Sequence, residues 1–161
     1  MTGRVSDKVI IVTGGASNPG LGNATAKMLA REGAKVVVTD IDEQGAASCA
    51  HDINADGGSA LAMCQDVTDE HRWQGVIDET VDIYGRVDGL VNNAGIAILK
   101  PFAELTIDDF NRQVTVNLTS VFLGCRHAMT QMRLQGGGGV LINLSSVAAI
   151  KGMARCGAYA A

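Results

Sequence analysis

The sequence predicts an α/β fold with a doubly wound parallel sheet, and three observations carry that expectation. Short, apolar, β-branched runs alternate with stretches of helical periodicity along the chain. A glycine-rich turn joins the first such run to the first helical stretch. An acidic residue closes the second run, where an open parallel sheet presents its ligand-binding edge. No repeat, linker or charge block divides the 161 residues, so residues 1–161 are read as a single domain.

From the N-terminus, Lys8–Thr13 (KVIIVT) is a continuous apolar run, as in a parallel strand covered on both faces. Leu21, Ala24, Met28 and Leu29 recur at helical spacing, and Gly33 ends that helix. Lys35–Asp40 (KVVVTD) is a second strand by its β-branched content. Asp42–Asn54 is an alanine-rich helix stopped by Asp56-Gly57-Gly58, and Ser59–Asp66 is a weaker third strand. Thr68-Asp69-Glu70 caps a helix with Trp73, Val76, Ile77, Val81 and Tyr84 as its buried stripe. Val87–Asn92 is the fourth strand. Asp108–Arg133 reads as one long helix burying Phe110, Val114, Leu118, Val121, Phe122, Cys125 and Met129. Gly136–Gly139 is a flexible turn into Val140–Leu144, the fifth strand, and Arg155–Ala161 reads as the opening of another helix.

Composition narrows the partners. The chain has 13 basic and 17 acidic side chains and a net charge of −4, so neither nucleic acid nor an anionic membrane is expected as the main partner. Apolar runs such as Val9-Ile10-Ile11-Val12 are too short to span a bilayer, and MTGRVSDK lacks the apolar core of a secretion signal. A cytoplasmic location is expected. Cys49, Cys64, Cys125 and Cys156 form no C-x-x-C and, with three scattered histidines, no metal template; they are read as reduced, mostly buried thiols.

The turn Thr13-Gly14-Gly15-Ala16-Ser17-Asn18-Pro19-Gly20-Leu21-Gly22 lets the backbone bend tightly at a helix N-terminus, where free amides and the helix dipole favour a pyrophosphate. Asp40 comes 20 positions after Gly20, where a carboxylate can hold both hydroxyls of an adenosine ribose. That carboxylate repels a 2′-phosphate, and the turn carries no Arg or Lys to neutralise one, so NAD is expected over NADP.

With these residues in view, the sequence resembles the short-chain dehydrogenases/reductases, a Rossmann-type family. The match runs through the Thr13–Gly22 turn, Asp66-Val67, Asn92-Asn93-Ala94-Gly95, Asn117, Ser146 and Tyr159, with 13 positions from Ser146 to Tyr159. The resemblance implies an NAD-dependent oxidoreductase acting on a secondary alcohol or its ketone. It implies cofactor contacts at Gly14, Asn18, Gly20, Leu21, Gly22, Asp40, Ile41, Asp66, Val67, Asn92, Ala94, Gly95 and Tyr159. Asp66 and the Val67 backbone would hold the adenine. Tyr159 would be the acid/base, Ser146 the donor to the substrate oxygen, and Asn117 the holder of a water in the proton path. It also implies a homo-oligomer, commonly a tetramer. Ile96, Ile98, Leu99, Val147 and Met153 would make an apolar substrate pocket. Gly3–Ala16 and Glu70–Phe102 look most like members acting on cyclic alcohols or hydroxysteroids.

The sequence departs from the family in two places. Five residues separate Gly14 from Gly20, against three in the family's T-G-x-x-x-G-x-G. Tyr159 is followed only by Ala160 and Ala161, so the family's lysine, four residues after the tyrosine, has no position here. A free phenol titrates near pH 10, and that ammonium is what favours its ionised form. The chain is therefore read as a C-terminally incomplete sheet and, alone, as inactive. A non-catalytic NAD-binding module stays open beside the dehydrogenase. So does a methyltransferase using S-adenosylmethionine, though it gives no role to Ser146 and Tyr159.

Overall fold

A computed structural model describes residues 3–161; Met1 and Thr2, which open the stretch read as lacking a secretion signal, lie outside the described residues. The β-branched runs do form the sheet. Strands β1 (Val9–Thr13), β2 (Lys35–Asp40), β3 (Ser59–Cys64), β4 (Gly89–Asn92) and β5 (Val140–Asn143) lie parallel in the order β3-β2-β1-β4-β5. The chain builds outward from β1 to β3, then crosses back to β4 on the other side of β1. That reversal leaves a crevice at the carboxyl ends of β1 and β4.

Alternation along each strand divides the core in two. Ile10, Val12, Val36, Val38 and Val91 face α1 (Leu21–Arg31) and α2 (Glu43–Ala55), which meet them with Ala26, Ala30, Ala46 and Ile53. Small alanines let these helices lie close to the sheet, which is why an alanine-rich stretch is the helix here. Ile11, Val37, Met63 and Leu90 face α3 (Glu70–Tyr84) and α5 (Ser120–Leu134), with Trp73, Val76, Ile77 and Leu123 between. Helix starts are fixed by side chains: Asp42 accepts from the Gly45 amide, and Asp69 from the His71 and Arg72 amides. Asp88, ahead of β4, accepts the Val9 amide at 3.0 Å and pairs with Arg86, tying the sheet's two halves at their starting end.

Four expectations are corrected. The long helix is α4 (Ile107–Val114), a π-turn at Thr115–Thr119, then α5. The expected stripe faces outward even ahead of the π-turn: Phe110 (38% exposed), Leu118 (65%), Phe122 (59%) and Met129 (42%) lie outward, while Gln113, Leu123, Ala128 and Met132 are buried. On α1, Leu21 and Met28 are exposed, and Ala26 and Ala30 face the sheet. Arg155–Ala161 forms turns with one helical hydrogen bond, Ala160 N to Cys156 O, and Arg155 takes φ +65°, outside the right-handed helical region. Of the thiols, all unpaired, Cys49 and Cys156 are buried but Cys64 is exposed and Cys125 half-buried.

The segment after β4 is clamped by one side of the α4 rod. Asp109, Gln113 and Asn117 fall four residues apart and hold it at successive points. Asp109 accepts from Lys100 Nζ at 2.7 Å, Gln113 Oε1 from the Ile98 amide at 2.8 Å, and Asn117 Oδ1 from the Ile96 amide at 2.8 Å. The Asn117 amide also donates to the Ile96 carbonyl at 2.8 Å. Asp109 closes a capping box with Thr106 as well. Its carboxyl is drawn down to about 2, first by the Lys100 bond and then by the Thr106 amide and hydroxyl. A depressed carboxyl stabilises above its unfolded value near 3.9, and that contribution goes as pH falls from there toward 2. Protection of the amides of residues 96–110 against hydrogen exchange, taken relative to the intrinsic rate at each pH, is therefore expected to fall across that window before that of the strands. Asp109→Asn should show the lower protection already at neutral pH and remove the acid step.

Candidate functional site

A crevice of about 600 Å³ opens where β1 to β4 end. Its floor begins with the glycine turn. Gly14 takes φ +70° and Gly14 and Gly15 both donate to the Thr39 carbonyl, at 2.8 and 3.2 Å. A Cβ on Gly14 would stand 2.8 Å from the Ala94 Cα, and one on Gly22 would collide with the Gly14 carbonyl. These glycines bring strand, turn and helix α1 into backbone contact beside the crevice. Gly20 caps α1 without a side chain, so the first helical amides keep no side-chain acceptor. Gly22→Ala is expected to lower stability by about 1–3 kcal/mol through overpacking and to weaken anion binding at the turn, read by urea unfolding and pyrophosphate titration.

Asp40 lines the crevice at the end of β2. Its Oδ2 accepts the Ala16 amide at 2.9 Å and its Oδ1 the Asp42 amide at 3.1 Å. One bond per oxygen fixes the carboxylate and leaves each oxygen further acceptor capacity. Across from it, Asp66 Oδ1 takes the Thr68 amide and hydroxyl, at 2.9 and 2.7 Å. Its Oδ2 accepts nothing among the described residues, and the Val67 amide donates to nothing there. One free acceptor beside one free donor suits the edge of an adenine. The Val67 carbonyl is held from behind by Trp73 Nε1 at 2.8 Å.

The wall after β4 is stitched to the turn by Thr13 and Asn93. Thr13 Oγ1 accepts the Asn93 and Ala94 amides at 3.1 and 3.0 Å, and Asn93 Nδ2 donates to the Thr13 and Gly14 carbonyls at 2.8 and 2.9 Å. Asn92 turns the other way. It is buried and its Nδ2 donates to Asn143 Oδ1 at 2.8 Å, joining β4 to β5.

The pattern described as "short chain dehydrogenase" matches residues 8–161. The chain belongs to the short-chain dehydrogenase family. It is 40% identical over 159 residues to a cyclopentanol dehydrogenase of Comamonas, covering 99% of this chain and 62% of that protein. It is 38% identical to an NADP-dependent (R)-specific alcohol dehydrogenase of Lentilactobacillus kefiri, covering 99% and 62%. A short chain dehydrogenase from Mycobacterium smegmatis superposes with a TM-score of 0.94 at 33% identity, covering 99% of this chain and 68% of that one. The chain thus spans 62% of the length of the first of these relatives.

On this member of the family, the expected residues divide. Gly14, Asp40, Ile41, Asp66, Val67, Ala94 and Gly95 line one crevice together. Gly20, Leu21 and Gly22 open α1 beside it, whereas Asn18 is exposed in the turn and Ser17 takes the lining position. Asn117 stands behind the wall, bonded to Ile96, which lines it. Ser146 and Tyr159 are half-buried and lie outside the crevice lining. Ser146 Oγ accepts the Ala148 amide at 3.2 Å, opening a 3-10 turn at Val147–Ala149 just past β5. The Tyr159 segment rests on the loop after β4 through Lys100 N to Arg155 O at 3.1 Å.

Sequence reasoning missed Asn93, Gln65, Gln113 and Arg112. Gln65 lines the crevice yet is only 1% exposed, and neither its amide nitrogen nor its oxygen has a partner. Thr39, on the same face of the neighbouring strand, has an unpartnered hydroxyl as well. A polar residue at a strand end reads as surface, so only burial exposes these groups. The turn cradle, the Asp40 carboxylate and the Asp66–Val67 pair fit a dinucleotide.

Proposed function

We propose that this short-chain dehydrogenase binds NAD and interconverts a hydrophobic, cyclic secondary alcohol and its ketone. The observation that carries the reading is Asp40, a carboxylate held by two amides at the crevice edge, where it suits a free 2′-hydroxyl and opposes a 2′-phosphate. Bound dinucleotide would supply the hydride acceptor or donor. Its adenosine would rest on Asp40, Asp66 and the Val67 amide, and its pyrophosphate on the Gly14–Gly22 turn.

The remaining steps belong to the chain's own side chains. Tyr159 removes the alcohol proton at its phenolic oxygen. Ser146 Oγ accepts from Ala148 and so keeps its hydrogen free to donate to the substrate oxygen as charge grows there. Asn117 spends one amide hydrogen and one lone pair on Ile96 and keeps one of each for a water. Exposed Leu99, Val147 and Met153, on the loops beyond β4 and β5, support an apolar substrate. The outward Leu118, Phe122 and Met129 support assembly into a homo-oligomer. A cytoplasmic location is part of this reading; among the described residues no helix is long and apolar enough to cross a membrane.

A second reading is a dinucleotide-binding module without turnover, favoured by Ser146 and Tyr159 lying outside the crevice lining. Calorimetric titration with NAD and NADP, beside cyclopentanol oxidation with each, separates the readings. Run on this chain and on one extended past Tyr159 to carry a lysine four residues on, NAD binding with turnover in either supports the dehydrogenase, and NAD binding without turnover in both supports the module. A preference for NADP rejects the role given to Asp40.

A further inference from the structure

Arg112 is the one cation among the described residues that line the crevice, where it shares the space with the carboxylates of Asp40 and Asp66. Its guanidinium is exposed and makes no hydrogen bond or ion pair with the described residues. Other arginines are engaged: Arg72 with Glu79, Arg86 with Asp88, Arg126 with Glu70. Asp109, one turn before Arg112, is already held by Lys100 and Thr106. With Thr115 and Val116, Arg112 forms the α4 wall of the crevice; Asp66, Val67 and Thr68 line it from the loop after β3. The phosphate cradle is another part of the same crevice, the turn into α1, where Gly14 and Ser17 line it.

We propose that Arg112 is a positioning residue for the nucleobase, its guanidinium plane lying over the face of an adenine whose edge is held by Asp66 and Val67. The inference rests on the dinucleotide reading above. Asp66 and the Val67 amide act in the plane of a base and leave its faces uncovered. A flat, weakly hydrated guanidinium stacks on an aromatic face, which a lysine ammonium does not.

The test is calorimetric titration of the wild type, Arg112→Ala and Arg112→Lys with NADH, ADP-ribose and reduced nicotinamide mononucleotide, at low and high salt. Arg112→Ala should weaken NADH and ADP-ribose alike, by roughly 3- to 30-fold. It should leave the mononucleotide unchanged, because that ligand has no adenine. Arg112→Lys should restore little, and the loss should persist at high salt. The melting temperature should not move, since Arg112 holds no other residue. Equal affinity of wild type and Arg112→Ala for ADP-ribose overturns the proposal. So does full rescue by Arg112→Lys that disappears in salt, which marks a phosphate contact. A wild type that binds neither NADH nor ADP-ribose instead overturns the dinucleotide reading on which the proposal stands.

Discussion

Asp40→Ala is expected to weaken NAD binding by roughly 10- to 100-fold, the cost of removing charge-assisted bonds to a ribose at about 1.5–3 kcal/mol. The same change should leave NADP no worse or bind it more tightly, because it removes the negative charge that a 2′-phosphate would meet. Two effects are combined in that variant, since Asp40 also accepts the Ala16 amide at 2.9 Å and steadies the turn. Asp40→Asn separates them. It keeps an acceptor for Ala16 while removing the charge, so it should recover turn stability but not the discrimination. Adding Ile41→Arg to Asp40→Ala should invert the preference outright, since residue 41 also lines the crevice and an arginine there offers a phosphate a two-pronged donor. Titration with both dinucleotides reads all three. Unchanged NAD affinity in Asp40→Ala would remove the ribose from that carboxylate.

Trp73→Ala should be the most damaging single change to stability, about 3–5 kcal/mol. The side chain is 0% exposed and packed with Val76, Ile77, Leu90 and Leu123. Gly124 lies so close beneath it that a Cβ there would stand 2.7 Å from the ring, so no neighbour can move in to fill the loss. Trp73→Phe tests a subtler point. Phenylalanine fills most of the space but cannot donate to the Val67 carbonyl, leaving that group short of a partner at about 1–3 kcal/mol. Because the neighbouring Val67 amide is the proposed adenine donor, Trp73→Phe should also weaken ADP-ribose. Urea unfolding and calorimetry measure the two losses separately. A loss of stability with affinity intact would show that Trp73 supports the core alone.

The parallel sheet was legible because Val9–Thr13 and Lys35–Asp40 carry β-branched runs with no competing helical period, and because Asp69 stands at a cap position. Asp40 and Asp66 could be read for the same reason: strand ends in such a sheet face the ligand edge. The α4–α5 rod could not be read correctly. Its large apolar residues, Phe110, Leu118 and Phe122, mark a face that is exposed, while the buried face carries Gln113, Ser120 and Gly124, and the π-turn between the helices has no residue signature. The choice between Asn92 and Asn93 also escaped the sequence. The two are adjacent and chemically identical, and only pairing with Thr13 on one side and Asn143 on the other separates their tasks. Gln65 and Gln113 carry no sequence signal of burial, whereas the folded chain buries both. Ser146 and Tyr159 were reached through resemblance, and their place beyond the crevice lining had no local signal.

The every-fourth-residue clamp of Asp109, Gln113 and Asn117 makes one rod the ruler for the loop it grips. Adding or deleting a residue between the first two would put the rungs out of step with Lys100 and Ile98. Variation in loop length should therefore be tolerated between Pro101 and Leu105, outside the rungs, and rejected within them. Swapping whole loops for those of other members of the family should work best when the graft begins after Lys100 and ends before Thr106.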